Sequence, residues 1–360
     1  MIAKKLNSLI IELANYIKLK LFPYHKTPLV RGLLKFYYNS VTKFLPHFMP
    51  GLDNTAMIAL TYRCQCRCVH CSAALYRDDA KTVLKPQEVI KLIDDCKNNG
   101  ISEIYFFGGE PLLVPELDEF IRYAKKKRMI TRMDTNGFLL SQSRVKQLKS
   151  AGLDVVGISL DSPNSAVHDK LRGLPGIFNK AVRAIELCRD CKIICYISTY
   201  ATKNTLRNGE LAETIKLAKR LKVMTRILSP IVSGRWLKKD AIILSQDEIK
   251  KLRTHLEKDT VFWEILPIDD KDTPFRCVAI ENMYFYVSAY GEIQPCCFVP
   301  LSFGNIREEP LCDIVKRMRA SDMFVKHQGC SDCPLNDRDF KAKYGVFFEA
   351  NERLPKRVKT

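Results

Sequence analysis

Four cysteines fall within eight residues in the stretch CQCRCVHC, which runs from Cys64 to Cys71. Cys64, Cys68 and Cys71 have the spacing CxxxCxxC, which is compact enough to bring three thiolates to one cluster of soft metal ions. Three protein ligands leave the fourth iron of such a cluster free to bind a substrate or cofactor. The spacing therefore predicts a catalytic iron–sulfur site. The alternatives are a zinc site and unligated loop thiols.

The elements around this stretch alternate between short apolar runs and amphipathic runs. The predicted strands are MIALTY, EIYFFG, MITRMD, DVVGISLD, KIICYISTY and VMTRILSPI. The predicted helices cover residues 85–98, 114–127, 141–151, 176–189 and 208–221. This alternation predicts an α/β fold of parallel βα units, closed as a barrel or open as a sheet. In both cases ligands bind at the carboxyl ends of the strands, which places CQCRCVHC on the functional face.

A second motif, Gly108-Gly109-Glu110-Pro111, follows the second predicted strand. Its glycines permit close backbone approach, and Glu110 offers a negative partner to an ammonium group. CxxxCxxC followed by this GGEP resembles the radical S-adenosylmethionine (SAM) enzymes over residues 57 to about 232. The resemblance implies a partial (β/α)6 TIM-like barrel. It also implies that SAM binds the open iron and is split by one electron into methionine and a 5′-deoxyadenosyl radical, which removes a substrate hydrogen.

The same resemblance implies cofactor contacts at the later strand ends. It assigns the GGEP loop to the methionine amino group, and Asn136 in DTNG with Ser159 and Asp161 in ISLD to the ribose and methionine. Arg172 in HDKLRG pairs with the SAM carboxylate through its fork of donors, and His70 packs beside the adenine. Taken singly, DTNG is equally a turn, ISLD a strand end and Arg172 a surface charge.

A second group of cysteines lies near the C-terminus, in a region with little room for a large core, which suggests stapling by a metal. The order Cys277, Gly-x4-Cys296 and Cys330-x2-Cys333 resembles the SPASM or twitch extensions that house auxiliary iron–sulfur clusters. It implies that these four residues bind one [4Fe-4S] cluster. No cysteine follows Cys333, which favours the shorter, twitch-like form with a single auxiliary cluster. Cys297 is an alternative to Cys296 as the ligand, and a structural zinc is the alternative to the cluster.

The family motif does not use Cys66, which is either a hydrogen-atom donor to a substrate radical or an inert loop residue. The other thiols are expected to be buried structural residues, because a free cysteine packs as a small hydrophobe. These are Cys96, Cys188, Cys191, Cys195 and Cys312.

Basic residues outnumber acidic residues by 58 to 40, which gives a formal net charge of +18. Residues 1–50 hold eight Lys or Arg against Glu12 alone, and they contain two predicted amphipathic helices. These helices pack on the barrel or lie on an anionic membrane. Nucleic acid is the weakest partner, because no RNA-recognition signature is present.

No apolar run approaches the roughly 20 residues of a membrane span, and no secretory signal is evident. We expect a cytoplasmic protein, with peripheral contact at the inner membrane face as an alternative.

Five segments follow from these features. They are a basic amphipathic arm (1–50), a radical SAM core barrel (51–240), a linker helix (241–270), a twitch/SPASM-like auxiliary cluster domain (271–340) and a basic tail (341–360). The predicted activity is hydrogen abstraction from a peptide or other bulky substrate, with oxidation, epimerisation or bond formation as outcomes. A flavodoxin or ferredoxin is the expected low-potential electron donor. The alternatives are a membrane-associated radical SAM enzyme acting on a lipid or isoprenoid, and a non-catalytic iron–sulfur electron carrier or sensor.

Overall fold

The computed structural model describes most of the chain after the predicted N-terminal arm. The described residues are 55–237, 239–264, 277, 279–280, 283–325, 333–344 and 355–358. The arm itself and the predicted ligand Cys330 lie outside them. Within the described ranges, no helix has the length and apolar character needed to cross a membrane.

Seven strands alternate with helices from residue 55 to residue 263. The strands are β1 (Thr55–Thr61), β2 (Glu103–Gly108), β3 (Ile130–Thr135), β4 (Val155–Ser159), β5 (Ile194–Tyr200), β6 (Met224–Leu228) and β7 (Val261–Trp263). The helices are α1 (Pro86–Asn98), α2 (Leu117–Lys126), α3 (Gln142–Ala151), α4 (Ser165–Arg172), α5 (Ile177–Asp190), α6 (Lys203–Arg207), α7 (Glu210–Arg220) and α8 (Gln246–Arg253). The six predicted strands and five predicted helices are confirmed, and α8 confirms a helix within the predicted linker. Helices α4 and α6 and strand β7 were not predicted.

The strands form one nine-stranded sheet in the order β7-β6-β5-β4-β3-β2-β1-β8-β9. Strand β8 (Tyr284–Val287) pairs in parallel with β1, and β9 (Ile293–Gln294) turns back against β8, which confirms the predicted hairpin around Tyr290 and Gly291. Among the described residues no pairing joins the edge strands β7 and β9, so the sheet is a partial barrel. The C-terminal region therefore continues the barrel sheet beyond β1.

The remaining elements are short and follow β9 along the chain. They are β10 (Leu301–Ser302), α9 (Leu311–Arg319), α10 (Asp322–Val325), α11 (Arg338–Tyr344) and β11 (Lys356–Arg357), which pairs with β10. Their apolar side chains, such as Leu301, Ile314 and Phe340, join the same core as the helices around the barrel.

Strand β1 explains how the fold positions the cysteine loop. Its side chains are buried on both faces, as is typical of a parallel strand covered on both sides. Ala56 and Ile58 pack in the core under the helices, whereas Met57 and Ala59 face the barrel interior beside Tyr105. Because parallel strands end at the same edge, the loops after β1, β2, β3 and β4 meet there.

Candidate active site

A cavity of about 700 Å³ extends from the loop after β1 into the interior of the partial barrel. Its far end is lined by Thr55 and Glu103, the first residues of β1 and β2. Most of the predicted site residues line it: Cys64, Cys66, Cys68, His70, Cys71, Gly108, Gly109, Asn136, Ser159, Arg172, Cys277, Cys296 and Cys333. Glu110, Pro111 and Asp161 are buried behind the cavity wall rather than in it.

The three thiols of the CxxxCxxC motif differ in their surroundings. A hydrogen bond from the Cys66 thiol, helped by the Arg172 cation, lowers the pKa of Cys68 to about 6. Burial raises the pKa of Cys71 to about 11, so a bound metal is needed to keep that group as a thiolate at neutral pH. Asn136 Nδ2 lies 3.8 Å from Cys64 Sγ, and Arg172 Nη1 lies 3.7 Å from Cys68 Sγ. These donors favour the thiolate forms that ligate iron.

The loop after β2 holds the start of the cysteine loop through its backbone. The Gly109 N–H donates to Thr61 O at 2.6 Å, and the next N–H donates to Arg63 O at 2.9 Å. A Cβ at Gly108 would lie 2.3 Å from Thr61 O, and one at Gly109 would lie 2.2 Å from Arg63 O. Only glycine permits this approach, so the two glycines are required to bring the second motif against the first.

The end of α4 holds the middle of the same loop. The Arg67 N–H donates to Arg172 O at 2.9 Å, and the Val69 N–H donates to Leu171 O at 3.0 Å. Backbone groups that would otherwise be unpaired beside the cavity are therefore satisfied by a neighbouring element. This contact explains why the segment HDKLRG, noted in the sequence for Arg172 alone, folds as a helix against the cysteines.

A turn after β6, Gly234–Trp236, holds the end of the loop and was missed by the sequence analysis. The Arg235 N–H donates to Cys71 O at 3.1 Å, and its Nη1 donates to Arg67 O at 2.7 Å and Cys68 O at 3.1 Å. A Cβ at Gly234 would lie 2.2 Å from Cys71 O, so the turn packs directly on the loop. The sequence SGRW matches no recognisable motif, because the role of this turn depends on contacts with the cysteine loop, which lies far away in the sequence.

Glu110 supports Asn136 instead of facing the cavity. Its carboxylate accepts hydrogen bonds from Thr135 Oγ1 at 2.7 Å, Asn136 N at 2.9 Å and Leu112 N at 3.1 Å. Burial raises the pKa of Glu110 to about 7. The side chain of Asn136 lines the cavity, and its Oδ1 accepts a hydrogen bond from Gln65 Nε2 at 3.1 Å. The cavity wall at the GGEP loop is therefore formed by Gly108 and Gly109, and the assignment of Glu110 to an ammonium group stays a prediction.

Asp161 and Arg172 form a buried ion pair beside Cys68. Arg172 Nε lies 2.7 Å from Asp161 Oδ2, and both side chains are less than 10% exposed. Burial opposes charge on Asp161, but the Arg172 cation holds the pKa of that carboxyl below its usual range. The Asp161 N–H donates to His168 Nδ1 at 3.1 Å. Arg172 thus reaches the cavity already oriented, whereas Asp161 acts on the site through Arg172, and contacts of either residue with SAM stay predictions.

His70 belongs to an aromatic group with Tyr200 and Trp236. The His70 ring centroid lies 4.5 Å from that of Tyr200 and 5.6 Å from that of Trp236, and the latter two are 5.3 Å apart. Burial lowers the pKa of His70 to about 4, so the ring is neutral at physiological pH. A neutral aromatic surface of this kind suits a nucleobase, which is consistent with the predicted adenine contact. Tyr200 and Trp236 were not predicted, because Tyr200 ends strand β5 and Trp236 lies in the turn after β6, both far from His70 in the sequence.

Charged side chains line the interior of the barrel below this site. Arg226 pairs with Asp134, and its Nη1 donates to Tyr105 Oη at 2.9 Å. Arg132 Nε lies 2.6 Å from Glu103 Oε1. The sequence analysis did not single out these residues, although their inward positions follow from strand alternation. They make this end of the cavity polar and charged.

The C-terminal cysteines approach the same cavity from the side of β8. Cys296 packs in the main core, with Cys277 and Cys333 at its edge, whereas Cys297 packs among interior aromatic residues such as Tyr62. The two adjacent cysteines therefore point into different surroundings. This division favours Cys296 over Cys297 as the partner of Cys277 and Cys333, and the ligand set stays a prediction because Cys330 is not described.

The donor set fits iron–sulfur clusters. Among the described residues, no three His, Cys, Asp or Glu side chains converge around one point as a single metal ion would require. Each thiolate of a cluster can bind a different iron, so ligands spread along a cavity wall suit that arrangement. The glycine wall, Asn136 and the Arg172 cation beside the first cysteine group offer room and polar contacts for an amino acid-bearing nucleotide.

Comparison with known families gives two matches. Residues 58–222 match the Radical SAM superfamily, and residues 277–334 match SPASM, an iron–sulfur cluster-binding domain. The second match ends just past Cys333, and the expected single auxiliary cluster stays a prediction.

Relatives of known name cover most of the chain. An AdoMet-dependent heme synthase from Methanosarcina barkeri is 27% identical over 281 residues, which are 71% of this chain and 80% of that protein. A PqqA peptide cyclase from Rhizobium meliloti is 26% identical over 318 residues, 82% of this chain and 83% of that protein.

Solved structures share the fold at lower identity. Streptococcus suis SuiB bound to S-adenosylmethionine has a TM-score of 0.59 and 18% identity, covering 82% of this chain and 74% of SuiB. The structure of anSMEcpe with bound AdoMet and a peptide has a TM-score of 0.57 and 18% identity, covering 82% of this chain and 96% of that one. The domain matches agree with the two cysteine groups and the cavity that they share. The cofactors that these matches imply are SAM, a [4Fe-4S] cluster and an auxiliary iron–sulfur cluster. The chain is a radical SAM superfamily enzyme with a C-terminal SPASM-type domain.

Proposed function

We propose that this enzyme cleaves SAM reductively and removes a hydrogen atom from a peptide that reaches into the barrel cavity. The observation that carries the proposal is that the two cysteine groups, represented by Cys64 and Cys296, line one cavity. A substrate held between them is accessible both to the site of radical formation and to an auxiliary electron acceptor. That arrangement suits a net oxidation that forms a new bond, and epimerisation is the alternative outcome.

The residues of the first group have distinct roles in this proposal. Cys64, Cys68 and Cys71 hold three irons, and the glycine wall with Asn136, Ser159 and Arg172 orients SAM by its polar groups. When bound and reduced, the cluster and SAM together supply a 5′-deoxyadenosyl radical that removes the substrate hydrogen. His70, with Tyr200 and Trp236 behind it, packs on the adenine and keeps water from that side of the cavity.

The second group holds the auxiliary cluster through Cys277, Cys296, Cys330 and Cys333. Tyr284, which also lines the cavity, belongs to strand β8 beside β1. This shared sheet fixes the auxiliary domain relative to the barrel, so an electron left on a substrate radical has a nearby acceptor. Cys66 lies in the cavity wall as well, and its role as a hydrogen-atom donor remains an alternative for the epimerisation outcome.

A peptide substrate is supported by the relatives. One is named a peptide cyclase, and SuiB and anSMEcpe were each solved with a peptide. The polar interior formed by Arg226, Asp134, Arg132 and Glu103 offers both signs of charge, which suits a peptide backbone and mixed side chains.

An iron tetrapyrrole is the second candidate substrate. The similarity to heme synthases favours it, and the Arg132 and Arg226 guanidinium groups in the cavity suit carboxylate groups. Both arginines already pair with a carboxylate of this chain, which weakens their pull on a further anion. We therefore rank the tetrapyrrole below the peptide.

Anaerobic reconstitution tests the proposal. About eight irons per chain are expected if two cubanes form, and reduction should release 5′-deoxyadenosine from SAM. Cys64→Ala should abolish this release, and Cys312→Ala, at a half-buried cysteine outside the cavity, is the matched control. Deuterium transfer into 5′-deoxyadenosine from a deuterated precursor peptide, but not from an iron tetrapyrrole, would support the peptide. The reverse result would make the tetrapyrrole the substrate, and an intact SAM would overturn the proposal.

A further inference from the structure

Arg226 and Arg132 both line the barrel interior, but they differ in how fully their donors are used. This chain satisfies Arg226 at every side-chain nitrogen. Its Nε donates to Ser198 Oγ at 2.9 Å, its Nη1 donates to Tyr105 Oη at 2.9 Å and its Nη2 pairs with Asp134. Arg226 therefore belongs to a closed network that holds the strands together, and it has little left to offer a ligand.

Arg132 keeps donors for a ligand. Its Nε lies 2.6 Å from Glu103 Oε1 in an ion pair, although the two atoms are not aligned for a hydrogen bond. Its Nη1 and Nη2 make no hydrogen bond to any residue that the structure describes. The side chain is only 17% exposed, so these N–H groups are largely shielded from bulk water. Leaving a shielded guanidinium unpaired is costly, and a bound ligand with an oxygen acceptor would remove that cost.

Two contacts hold the Arg132 guanidinium in place. Arg132 is in register with Tyr105 on β2, and its guanidinium carbon lies 5.2 Å from the centre of the Tyr105 ring. Its partner Glu103 is fixed in turn by Thr55, whose Oγ1 donates to Glu103 Oε2 at 3.2 Å. All four residues line the cavity. The far end of the cavity therefore presents a preformed donor and not a mobile surface side chain.

The local charge decides which group fits beside Arg132. Glu103 offsets the charge of Arg132, and Asp134 offsets that of Arg226, so these four side chains sum to zero. A carboxylate from a ligand would bring an uncompensated negative charge into a shielded site, which is costly. A neutral carbonyl oxygen accepts from Arg132 without that cost, and an N–H on the same group can donate to the Glu103 carboxylate. A primary amide carries both groups.

The far end of the cavity is well separated from the residues expected to contact SAM. Arg132 and Asn136 both line the cavity and lie four positions apart on β3 and just after it. At about 3.3 Å per residue, this is a depth of about 13 Å along the strand. A group bound at Arg132 therefore belongs to the part of a substrate that enters deepest, and it is separate from the carbon that loses hydrogen.

We propose that Arg132 binds a neutral primary amide of the substrate, the side chain of an asparagine or glutamine, an inference that rests on the proposed function. The amide oxygen accepts from the Nη groups of Arg132, and the amide nitrogen donates to Glu103. This subsite sets how deeply the peptide enters the barrel. It selects peptides with Asn or Gln at that position over peptides with an acidic or aliphatic residue there, which makes Arg132 a specificity-determining residue.

Three small probes with the same backbone test the subsite. They are the N-acetyl, N-methylamide derivatives of glutamine, glutamate and leucine, whose dissociation constants for the reconstituted enzyme are measured by saturation-transfer NMR without reductant. The wild type should bind the glutamine probe about tenfold more tightly than the other two. Arg132→Lys keeps a positive charge beside Glu103 but lacks the planar fork of donors, so it should bind the glutamine and leucine probes equally.

A second variant keeps the test valid if Arg132→Lys folds poorly. Arg132→Met/Glu103→Met removes both charges of the ion pair, so it leaves no buried charge without a partner, and it should lose the preference for glutamine as well. Arg77→Lys is the matched control, because that arginine lines the same cavity and is 53% exposed. It should leave the three dissociation constants unchanged.

The binding measurement separates this inference from the proposed function, because it requires no SAM cleavage. A wild type that binds the glutamine probe no more tightly than the leucine probe would overturn the subsite, and so would an equal preference in the wild type and both variants. Tightest binding of the glutamate probe would show an anion site and contradict the amide. If SAM stays intact under reduction while the glutamine preference depends on Arg132, the proposed function fails and the subsite stands.

Discussion

The two cysteine groups of this enzyme share a cavity, but the fold organises them differently. The first group lies on one loop whose backbone is hydrogen-bonded by the loop after β2, the end of α4 and the turn at Gly234–Trp236. The second group comes from separate segments of the chain around Cys277, Cys296 and Cys333, which approach the cavity from the side of β8. The difference teaches that contacts around a single loop position the first group, whereas the second group is assembled only when separate segments of the chain meet.

Removing one ligand from each group gives the largest contrast. Cys64→Ala should lose about half of the iron and all SAM cleavage, whereas Cys333→Ala should lose iron but retain SAM cleavage. Iron content and 5′-deoxyadenosine release from the two variants check this. Equal loss of cleavage in both would mean that the auxiliary ligands also support the first site, contrary to the comparison.

The glycine wall provides the next largest effect. Gly109→Ala places a methyl group 2.2 Å from Arg63 O, so the cysteine loop must shift. We expect the first cluster to fill poorly while the auxiliary cluster fills normally, as read by electron paramagnetic resonance of the reduced protein. Gly209→Ala is the control for backbone strain away from the loop, because its φ of +80° disfavours alanine while no atom lies within 4 Å of the added methyl. A normal first cluster in Gly109→Ala would show that the loop is less constrained than the structure indicates.

Arg235 tests the third attachment of the loop. Arg235→Ala removes two hydrogen bonds to loop carbonyls and should destabilise the loop by about 1–3 kcal/mol. The expected result is faster removal of iron by a chelator, from the first cluster only. Arg207→Ala, whose arginine is 73% exposed, should match the wild type. Equal rates of iron removal in all three proteins would show that Arg235 does not stabilise the cysteine loop.

Glu110 affects the stability of the protein through pH and not through the number of contacts to the cysteine loop. Its pKa is raised by burial to about 7 from an ordinary 4.5, so the folded state favours the protonated form. The associated stability is fully present below pH 4.5 and is lost as the pH rises through about 7, a loss of about 3 kcal/mol. Glu110→Gln should flatten that part of the profile of unfolding free energy against pH. An unchanged slope would mean that Glu110 is ionised throughout.

The sequence was sufficient for the features that depend on local pattern. The six strands, the main helices and the hairpin at Tyr290 follow from periodicity and turn residues, and the family resemblance located the cysteine groups. Helix α4 was missed because its apolar face is short and its contact is with the loop after β1. The parallel pairing of β8 with β1 also escaped prediction, since it joins residues more than two hundred positions apart.

The site shows the same division between local and distant information. Asn136, Ser159 and His70 were predicted, and all three line the cavity. The orientation of Glu110 away from the cavity depends on Thr135 and Asn136, which the motif does not reveal. Trp236 and Arg235 depend on a turn that has no motif of its own, so only the three-dimensional contacts identify them.

The central claim is that SAM binds an open iron held by Cys64, Cys68 and Cys71 and not the auxiliary site. The most direct test is electron–nuclear double resonance on the reduced Cys333→Ala variant, with SAM labelled by ¹⁵N at its amino group. We predict a nitrogen coupling to the remaining cluster. If that coupling is absent there and appears instead in Cys64→Ala, SAM binds at the second cysteine group and the account is wrong.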